Sequence, residues 1–335
     1  MPSLNRRFLL ALATCAATCA ATFGSTAALA QDAAQSWPTR PVRVIMPYAA
    51  GGPADAILRA MGPALEKEWG QPLVIDYKPG ANETMGVLEL KKAAADGHTL
   101  LIATDAAFVL NPLLMRKLSY DPVKDLEPVT LLMRAPLLLV ARPDLPADSL
   151  QEVIAQAKKP GARLSYASTG QGGMAHLTLD WLMRQQGIDA VHAPYNSLPI
   201  SLQDLSSGRT DLSLVVTGGA RAFLQDKRIK ALAVSGTRRQ PLVPDVPTFQ
   251  EAGFGNFGAS LFFGLAAPAG TPQAVRAQVA KAFAARLADE KFQREQLSIF
   301  GFDAVGSTPA EFASALASAR VQAGERVKAA GVQAQ

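Results

Sequence analysis

Short apolar runs alternate with amphipathic stretches along most of the chain, and this alternation restricts its fold more than any other feature. Val42–Met46 is a run of strand-forming residues. The stretch that follows has an apolar face formed by Ile57, Met61, Leu65 and Trp69, at four-residue spacing. A strand pattern followed by a helix pattern returns several times before the chain ends. Such repetition is typical of βαβ units and predicts an α/β fold.

The predicted strands are short and apolar. They cover residues 42–46, 73–76, 99–103, 137–140, 164–167, 211–216 and 231–234. Capping boxes at Ser149–Glu152 and Thr308–Glu311 predict the starts of two helices. With 335 residues the chain is too long for one compact core, so we expect two lobes.

The first thirty residues have the pattern of an export signal. Arg6 and Arg7 precede the apolar run Phe8–Leu12, and Ala28–Ala30 has the small-x-small form that signal peptidase cleaves. We therefore predict a signal peptide over residues 1–30, cleaved near Ala30. No later stretch offers eighteen uninterrupted apolar residues, so no other segment is expected to span a membrane.

Several kinds of chemistry are excluded by residue type and spacing. Both cysteines, Cys15 and Cys19, fall inside the predicted signal peptide, so no thiolate site is expected in the mature chain. His98, His176 and His192 lack metal-ligand spacing, and we predict no metal site. The formal net charge of +5 is not concentrated in a dense Lys/Arg tract, which argues against nucleic-acid binding. Dinucleotide and P-loop fingerprints are missing, and no cofactor is predicted.

An exported hydrolase is one alternative function. Ser168 and His176 could be imagined as a nucleophile and its base, but no third group is evident and the Gly-x-Ser-x-Gly elbow is missing. At a helix start His176 should stay neutral, and bracing of a loop or contact with a ligand suits it better. We therefore predict no catalytic residue and no enzyme activity.

Two glycine-rich turns, residues 47–55 and 168–176, share one construction. In each, a strand ends, glycines follow and a helix begins. Glycines let backbone N–H groups turn toward one point, and a helix start adds unpaired N–H groups with partial positive charge. Apart from His176, neither turn contains a basic residue. The pair predicts a site for an anion held by main-chain amides, although tight strand-to-helix connections explain the same glycines equally well.

Characteristic short segments follow one another through the chain beyond the signal peptide. They are residues 37–43, 47–55, 78–81, 95–101, 111–112, 120–122, 125–129, 166–170, 176–177, 192–195, 246–248, 251–253 and 267–272. In this order they resemble the Bug/TctC family, the extracytoplasmic receptors of tripartite tricarboxylate transport systems.

The resemblance implies a type II-like periplasmic binding protein fold of two α/β lobes, with two crossover strands and a central ligand cleft. Residues 37–133 and 256–335 are expected to form the discontinuous first lobe, and residues 134–255 the second. The implied function is that of a monomeric periplasmic receptor that captures a small organic carboxylate and delivers it to a membrane permease. A ligand sensor that presents its closed form to a signalling partner is the alternative of another class.

The resemblance also implies which residues bind the ligand. Family members hold a ligand carboxylate with the two glycine-rich loops, largely through main-chain amides and ordered water. The positions that match are Tyr48, Ala49, Ala50, Gly51, Gly52, Asp55, Thr104, Ser168, Thr169, Gly170, His176 and Thr217.

The chain departs from the family pattern at several pocket positions. Asn82-Glu83 stands where Gly-Gly is frequent, Val215-Val216 where an Asp-Asn pair is common, and Phe262 where Trp is frequent. Asn196-Ser197 replaces a common Lys-Gly. Taken together, these changes are interpreted as making the distal pocket less polar, which favours an apolar or aromatic monocarboxylate over a dicarboxylate or tricarboxylate.

Overall fold

The computed structural model describes residues 37–255 and 260–334. The predicted signal peptide and both cysteines lie outside the described residues. Within the described ranges, no helix is long and apolar enough to cross a membrane.

The strands of the described chain form one continuous network. They are β1 (Val42–Met46), β2 (Leu73–Tyr77), β3 (Thr99–Thr104), β4 (Leu126–Ala141), β5 (Ser165–Ser168), β6 (Val191–Pro194), β7 (Leu212–Val216), β8 (Lys230–Val234), β9 (Ser260–Pro268) and β10 (Asp303–Ala304). Their order is β2-β1-β3-β9-β4-β7-β5-β6, with β8 and β10 also paired to β4.

Helices connect the strands and cover the sheet. They are α1 (Pro53–Trp69), α2 (Thr84–Lys91), α3 (Asn111–Leu114), α4 (Leu150–Ala157), α5 (Met174–Gln185), α6 (Leu198–Ser206), α7 (Thr217–Gln225), α8 (Gln273–Leu287), α9 (Glu290–Phe292) and α10 (Pro309–Ala329). Shorter helical turns cover Ala106–Leu110, Gln293–Leu297 and Ser298–Phe300.

The long strand β4 divides the network into two lobes. Its residues 126–136 pair with β9, which in turn pairs with β3 of the parallel set β2-β1-β3. Its residues 137–141 pair instead with β7 and β8, and β7 continues to β5 and β6. The two-lobed α/β architecture expected from the sequence is therefore present, with β4 as a strand that passes from one lobe into the other.

The strand predicted at 137–140 is only the second part of β4. The observed strand also runs through Pro128 and Pro136. The pairing with β9 shifts register between Pro128 and Thr130, and Pro136 lies opposite Ser260, where β9 begins. Proline is tolerated at bulges and at the ends of a ladder, because no ladder hydrogen bond is lost there.

Each lobe buries both faces of its sheet. In the first lobe, Leu65 and Phe283 belong to a core on one face, and Phe108 and Phe312 belong to a core on the other. Two further apolar clusters cover the faces of the second lobe. Strands buried on both faces are expected to be continuously apolar, which is why they were visible in the sequence.

The contact between β9 and α10 tests this packing. A methyl group on Gly264 would lie 2.7 Å from Cε1 of Phe312, whose ring is almost fully buried. We expect Gly264→Ala to lower the free energy of unfolding by about 1–3 kcal/mol through overpacking. Urea unfolding measures the change.

Gly62, inside α1, is the matched control. A methyl group there has nothing within 4 Å. Because alanine has the higher helix propensity, Gly62→Ala should leave the free energy of unfolding unchanged or raise it by up to about 1 kcal/mol. Equal decreases in the free energy of unfolding from the two substitutions would contradict the packing described for α10.

Candidate functional site

The carboxyl ends of the parallel strands in both lobes lie near the point where β4 changes lobe. In the first lobe, Thr104 at the end of β3 pairs with Phe263, which pairs with Met133. In the second lobe, Val216 at the end of β7 pairs with Leu137. Met133 and Leu137 are four residues apart on one strand, about 13 Å at 3.3 Å per residue. Ligands of open α/β sheets bind beyond such strand ends.

Asp55, in the first turn of α1, fixes the shape of the loop that follows β1. Its Oδ2 accepts a hydrogen bond from the N–H of Gly51 at 2.8 Å. Its Oδ1 accepts from the Arg59 Nε at 2.9 Å and from the Tyr77 hydroxyl at 2.6 Å. Burial opposes the charge, but the bonds from Tyr77 and Gly51 and the pairing with Arg59 lower the pKa of Asp55. Asp55 therefore acts as an internal support of the loop.

The remaining amides of this loop are unused. Among the described residues, the N–H groups of Tyr48, Ala49, Ala50 and Gly52 have no hydrogen-bond acceptor. Ala49 and Ala50 are exposed to solvent, and the helix begins directly afterwards at Pro53. The loop thus presents donors that need an acceptor, beside the positive end of a seventeen-residue helix.

The loop after β5 repeats this arrangement with different side chains. The N–H of Gly172 donates to Nδ1 of His176, in the first turn of α5, at 2.9 Å. The Ser168 hydroxyl donates to the carbonyl of Gly170 at 2.9 Å and contacts His192 Nε2 at 2.7 Å. Ser168 and His176 are both buried, so each supports the loop from its protein-facing side.

The second loop also keeps free donors. The N–H groups of Thr169, Gly170, Gln171 and Gly173 have no acceptor within the described ranges. Gly170 has φ +127°, a conformation that side-chain-bearing residues rarely adopt, and open space surrounds it. Each lobe therefore offers one loop with unpaired main-chain donors at the carboxyl end of a strand.

The histidines of the second lobe form a neutral stack. The rings of His176 and His192 are parallel, with centroids 3.8 Å apart, and Tyr166 stacks on His192. Burial lowers the pKa of His176. Burial, followed by the neighbouring His176, lowers the pKa of His192 to about 4. Since its Nδ1 accepts the Gly172 N–H, His176 carries its proton on Nε2.

A hydrolytic centre does not form at these residues. Ser168 contacts His192, not His176, and its hydroxyl also lies within hydrogen-bond distance of the Gly170 carbonyl. A serine nucleophile needs a base that takes this proton and a third group that orients the base. No carboxylate within the described chain is hydrogen-bonded to His192.

Thr217 is placed differently from the loop residues. It is buried, and its hydroxyl donates to Gln240, whose Nε2 donates to the carbonyl of Gly301 at 3.2 Å. The following Gly218 lies directly against the backbone of Phe300. Thr217 thus lies at a contact between α7 and the 298–301 segment, with its hydroxyl already bonded.

Glu83 is a residue of this region that the sequence reasoning missed. Its carboxylate contacts the hydroxyls of both Tyr48 and Thr104, two of the predicted ligand contacts. Asn82-Glu83 had been interpreted as one of the changes that make the pocket less polar. At Glu83 that interpretation is wrong, because the residue adds a buried carboxylate. The departure from Gly-Gly was the available signal, but only the fold shows where the side chain lies.

Known proteins resemble this chain over most of its length. Residues 57–331 match the model of the family described as "Tripartite tricarboxylate transporter family receptor". The "UPF0065 protein in gbd 5'region" of Cupriavidus necator is 33% identical over 300 residues, which is 90% of this chain and 90% of that protein.

Two solved structures resemble the chain over nearly its full length. "R. palustris Rpa4515 with adipate" has a TM-score of 0.74 and 28% identity, covering 89% of this chain and 100% of that one. "MatC (Rpa3494) from Rhodopseudomonas palustris with bound malate" has a TM-score of 0.68 and 30% identity, covering 87% and 100%.

The histidine stack predicts a pH dependence of stability. An unfolded histidine titrates near pH 6.5, whereas folded His192 titrates at about 4. Between these values the unfolded chain binds protons that the folded protein does not, so stability is complete above pH 6.5 and falls as pH falls toward 4. We expect the Tm of the wild type to decrease across this window.

In His192→Gln the decrease should be shallower, whatever the Tm at pH 7, because one of the two perturbed imidazoles is gone. Thermal unfolding at a series of pH values from 7.5 to 3.5 measures both slopes. Parallel profiles for the two proteins would show that His192 does not stay neutral in the fold.

Proposed function

The chain belongs to the tripartite tricarboxylate transporter receptor family, whose members are periplasmic solute-binding proteins and not enzymes. We propose that it captures a small organic carboxylate and delivers it to a membrane permease of that transporter type. The observation that carries this proposal is the pair of loops with unpaired amide donors, one in each lobe, at the carboxyl ends of strands.

The chemistry of these loops suits reversible capture of an anion. A carboxylate has four lone-pair positions, which the donors of two loops can share. Residues 47–55 and 168–176 contain no Lys or Arg, so the site offers hydrogen bonds and helix ends without a fixed cationic partner. The proposed ligand-binding set is Tyr48, Ala49, Ala50, Gly51, Gly52, Asp55, Thr104, Ser168, Thr169, Gly170, His176 and Thr217.

Within this set, the contacts suggest two roles, ligand contact and loop support. The free amides around Ala50 and Gly170 face the ligand, while Asp55, Ser168 and His176 hold the loops in shape. Solved relatives support the ligand class, since one is described with adipate and one with bound malate. Both compounds are small organic acids.

We further propose that the lobes close on the ligand as a hinge. The first lobe comprises residues 37–133 and 256–335, and the second comprises residues 134–255. The strand β4, which passes between them, forms the hinge. The monomeric receptor, cleaved near Ala30 and located in the periplasm, then presents its closed form to the permease.

A thermal-shift and calorimetric panel of mono-, di- and tricarboxylates tests this proposal. At least one acid should raise the Tm in a saturable manner, because a ligand that binds only the folded state stabilises it. Mass spectrometry should recover that acid unchanged. A panel in which no carboxylate binds, or in which the bound acid is converted, would overturn the proposed function.

Gly170 and Gly161 form a matched pair for the second loop. Both glycines have positive φ with nothing within 4 Å of an added methyl group, but only Gly170 belongs to a proposed binding loop. Each substitution to alanine should cost about 1–2 kcal/mol of stability through backbone strain. Only Gly170→Ala should also weaken binding of the acid found in the panel, by about tenfold or more. Equal affinities in the two variants would remove this loop from the site.

A further inference from the structure

Glu83 lies on the first-lobe side of the proposed cleft and is fully supplied with hydrogen bonds. The Tyr48 hydroxyl donates to Oε1 at 2.5 Å, and the Thr104 hydroxyl donates to the same oxygen. The N–H of Thr104 donates to Oε2 at 3.0 Å. One protein carboxyl group therefore uses three donors at the end of β3.

These donors are of the kind that the far end of an anionic ligand would need. They lie at the end of β3 and in the first loop, where Thr104 is buried and Tyr48 is half-buried. A second ligand carboxylate arriving here would find the donors occupied. Burial raises the pKa of Glu83, while the hydrogen bonds from Thr104 and Tyr48 act in the opposite direction. The exclusion of a second carboxylate therefore depends on the occupied donors and not on a fixed negative charge.

Asp105 is a second buried carboxyl group at the end of β3. It is 3% exposed, and its Oδ1 has no hydrogen-bond partner among the described residues. Burial, followed by the charge of Glu83, raises the pKa of Asp105 to about 7. In the described part of the chain, no Lys or Arg side chain pairs with either carboxyl group. The end of β3 thus carries two buried carboxyl groups that have no basic partner among the described residues.

The backbone that carries Glu83 is held in an unfavourable conformation. Ala81, Asn82 and Glu83 have φ values of +47°, +49° and +70°, although none is glycine. Such residues cost about 1–2 kcal/mol each in this region. Asn111 supports the turn, since its Nδ2 donates to the Asn82 carbonyl at 2.8 Å and its Oδ1 accepts from the Asn82 side chain. Strain retained at a cleft is a reason to look for a functional role of the residue it positions.

We propose that Glu83 determines ligand specificity by occupying, with its own carboxyl group, the donors that a second ligand carboxylate would use. The ligand then has one carboxylate, held by the two amide loops, and a far end that is neutral or cationic. This inference rests on the proposed carboxylate-binding function and narrows it to one class of acid.

Acids of equal length with different far ends test whether the site rejects a second carboxylate. Hexanoate, adipate and 6-aminohexanoate share a six-carbon chain and one carboxylate, and they differ only in a neutral, anionic or cationic far end. Isothermal calorimetry with the wild-type protein measures the three affinities, and the same trio is repeated at four, five, seven and eight carbons. At the chain length that binds best, the diacid should be weaker than both partners by about tenfold or more.

Two variants test the residue itself. Glu83→Gln keeps the size of the side chain but leaves it one accepting oxygen instead of two, which frees at least one of the donors, so the affinity for the diacid relative to the neutral acid should rise by about tenfold. Glu66→Gln is the control, because Glu66 is an exposed carboxylate on α1, and it should leave that ratio unchanged. Should Glu83→Gln fail to fold, the ranking of the three acids by the wild type still decides.

The outcomes are distinct. The role of Glu83 is overturned if the wild type binds the diacid as tightly as the neutral and cationic acids of the same length. It is also overturned if Glu83→Gln leaves unchanged the affinity for the diacid relative to the neutral acid. In both cases the receptor function stands. Failure of every acid at every length, together with failure of the wider carboxylate panel, removes the receptor function and this inference with it.

Discussion

Each binding loop is held by one side chain that accepts one of its amide protons, and the rest of the site depends on this restraint. Asp55 accepts from Gly51 and His176 accepts from Gly172, each from the first turn of the following helix and four residues later in sequence. One donor per loop is consumed to fix the loop, and its neighbours remain unpaired. A flexible loop would lose much of its binding energy in ordering itself, whereas these loops are ordered in advance.

The two lobes apply the same principle with different chemistry. A charged carboxylate supports the first loop and is itself bound by Arg59 and Tyr77. A neutral imidazole supports the second and is stacked on His192. Neither support places a net positive charge at the loop, so the amides themselves provide the attraction for an anion. Glu83 then limits that attraction to one end of the cleft.

The sequence predicted the parts of this fold that depend on local pattern. Strands such as β1 and β3 are apolar on both faces and were placed to within a residue at either end. The edge strand β6, with exposed Val191 and Pro194, has no such pattern and was missed. The two loops were visible because glycine marks them. The roles of Ser168 and Glu83 were not, because their partners His192 and Thr104 are more than twenty residues away.

The central claim is that one carboxylate is held by the main-chain amides of both loops together. Amide NMR of ¹⁵N-labelled protein during titration with the acid that binds best tests it most directly. The account predicts downfield shifts of the N–H protons of Ala49, Ala50, Thr169 and Gly170 that saturate with a single Kd, with little change at Gly51 and Gly172, whose protons are already bonded. A response confined to one loop, or different Kd values for the two, would contradict it.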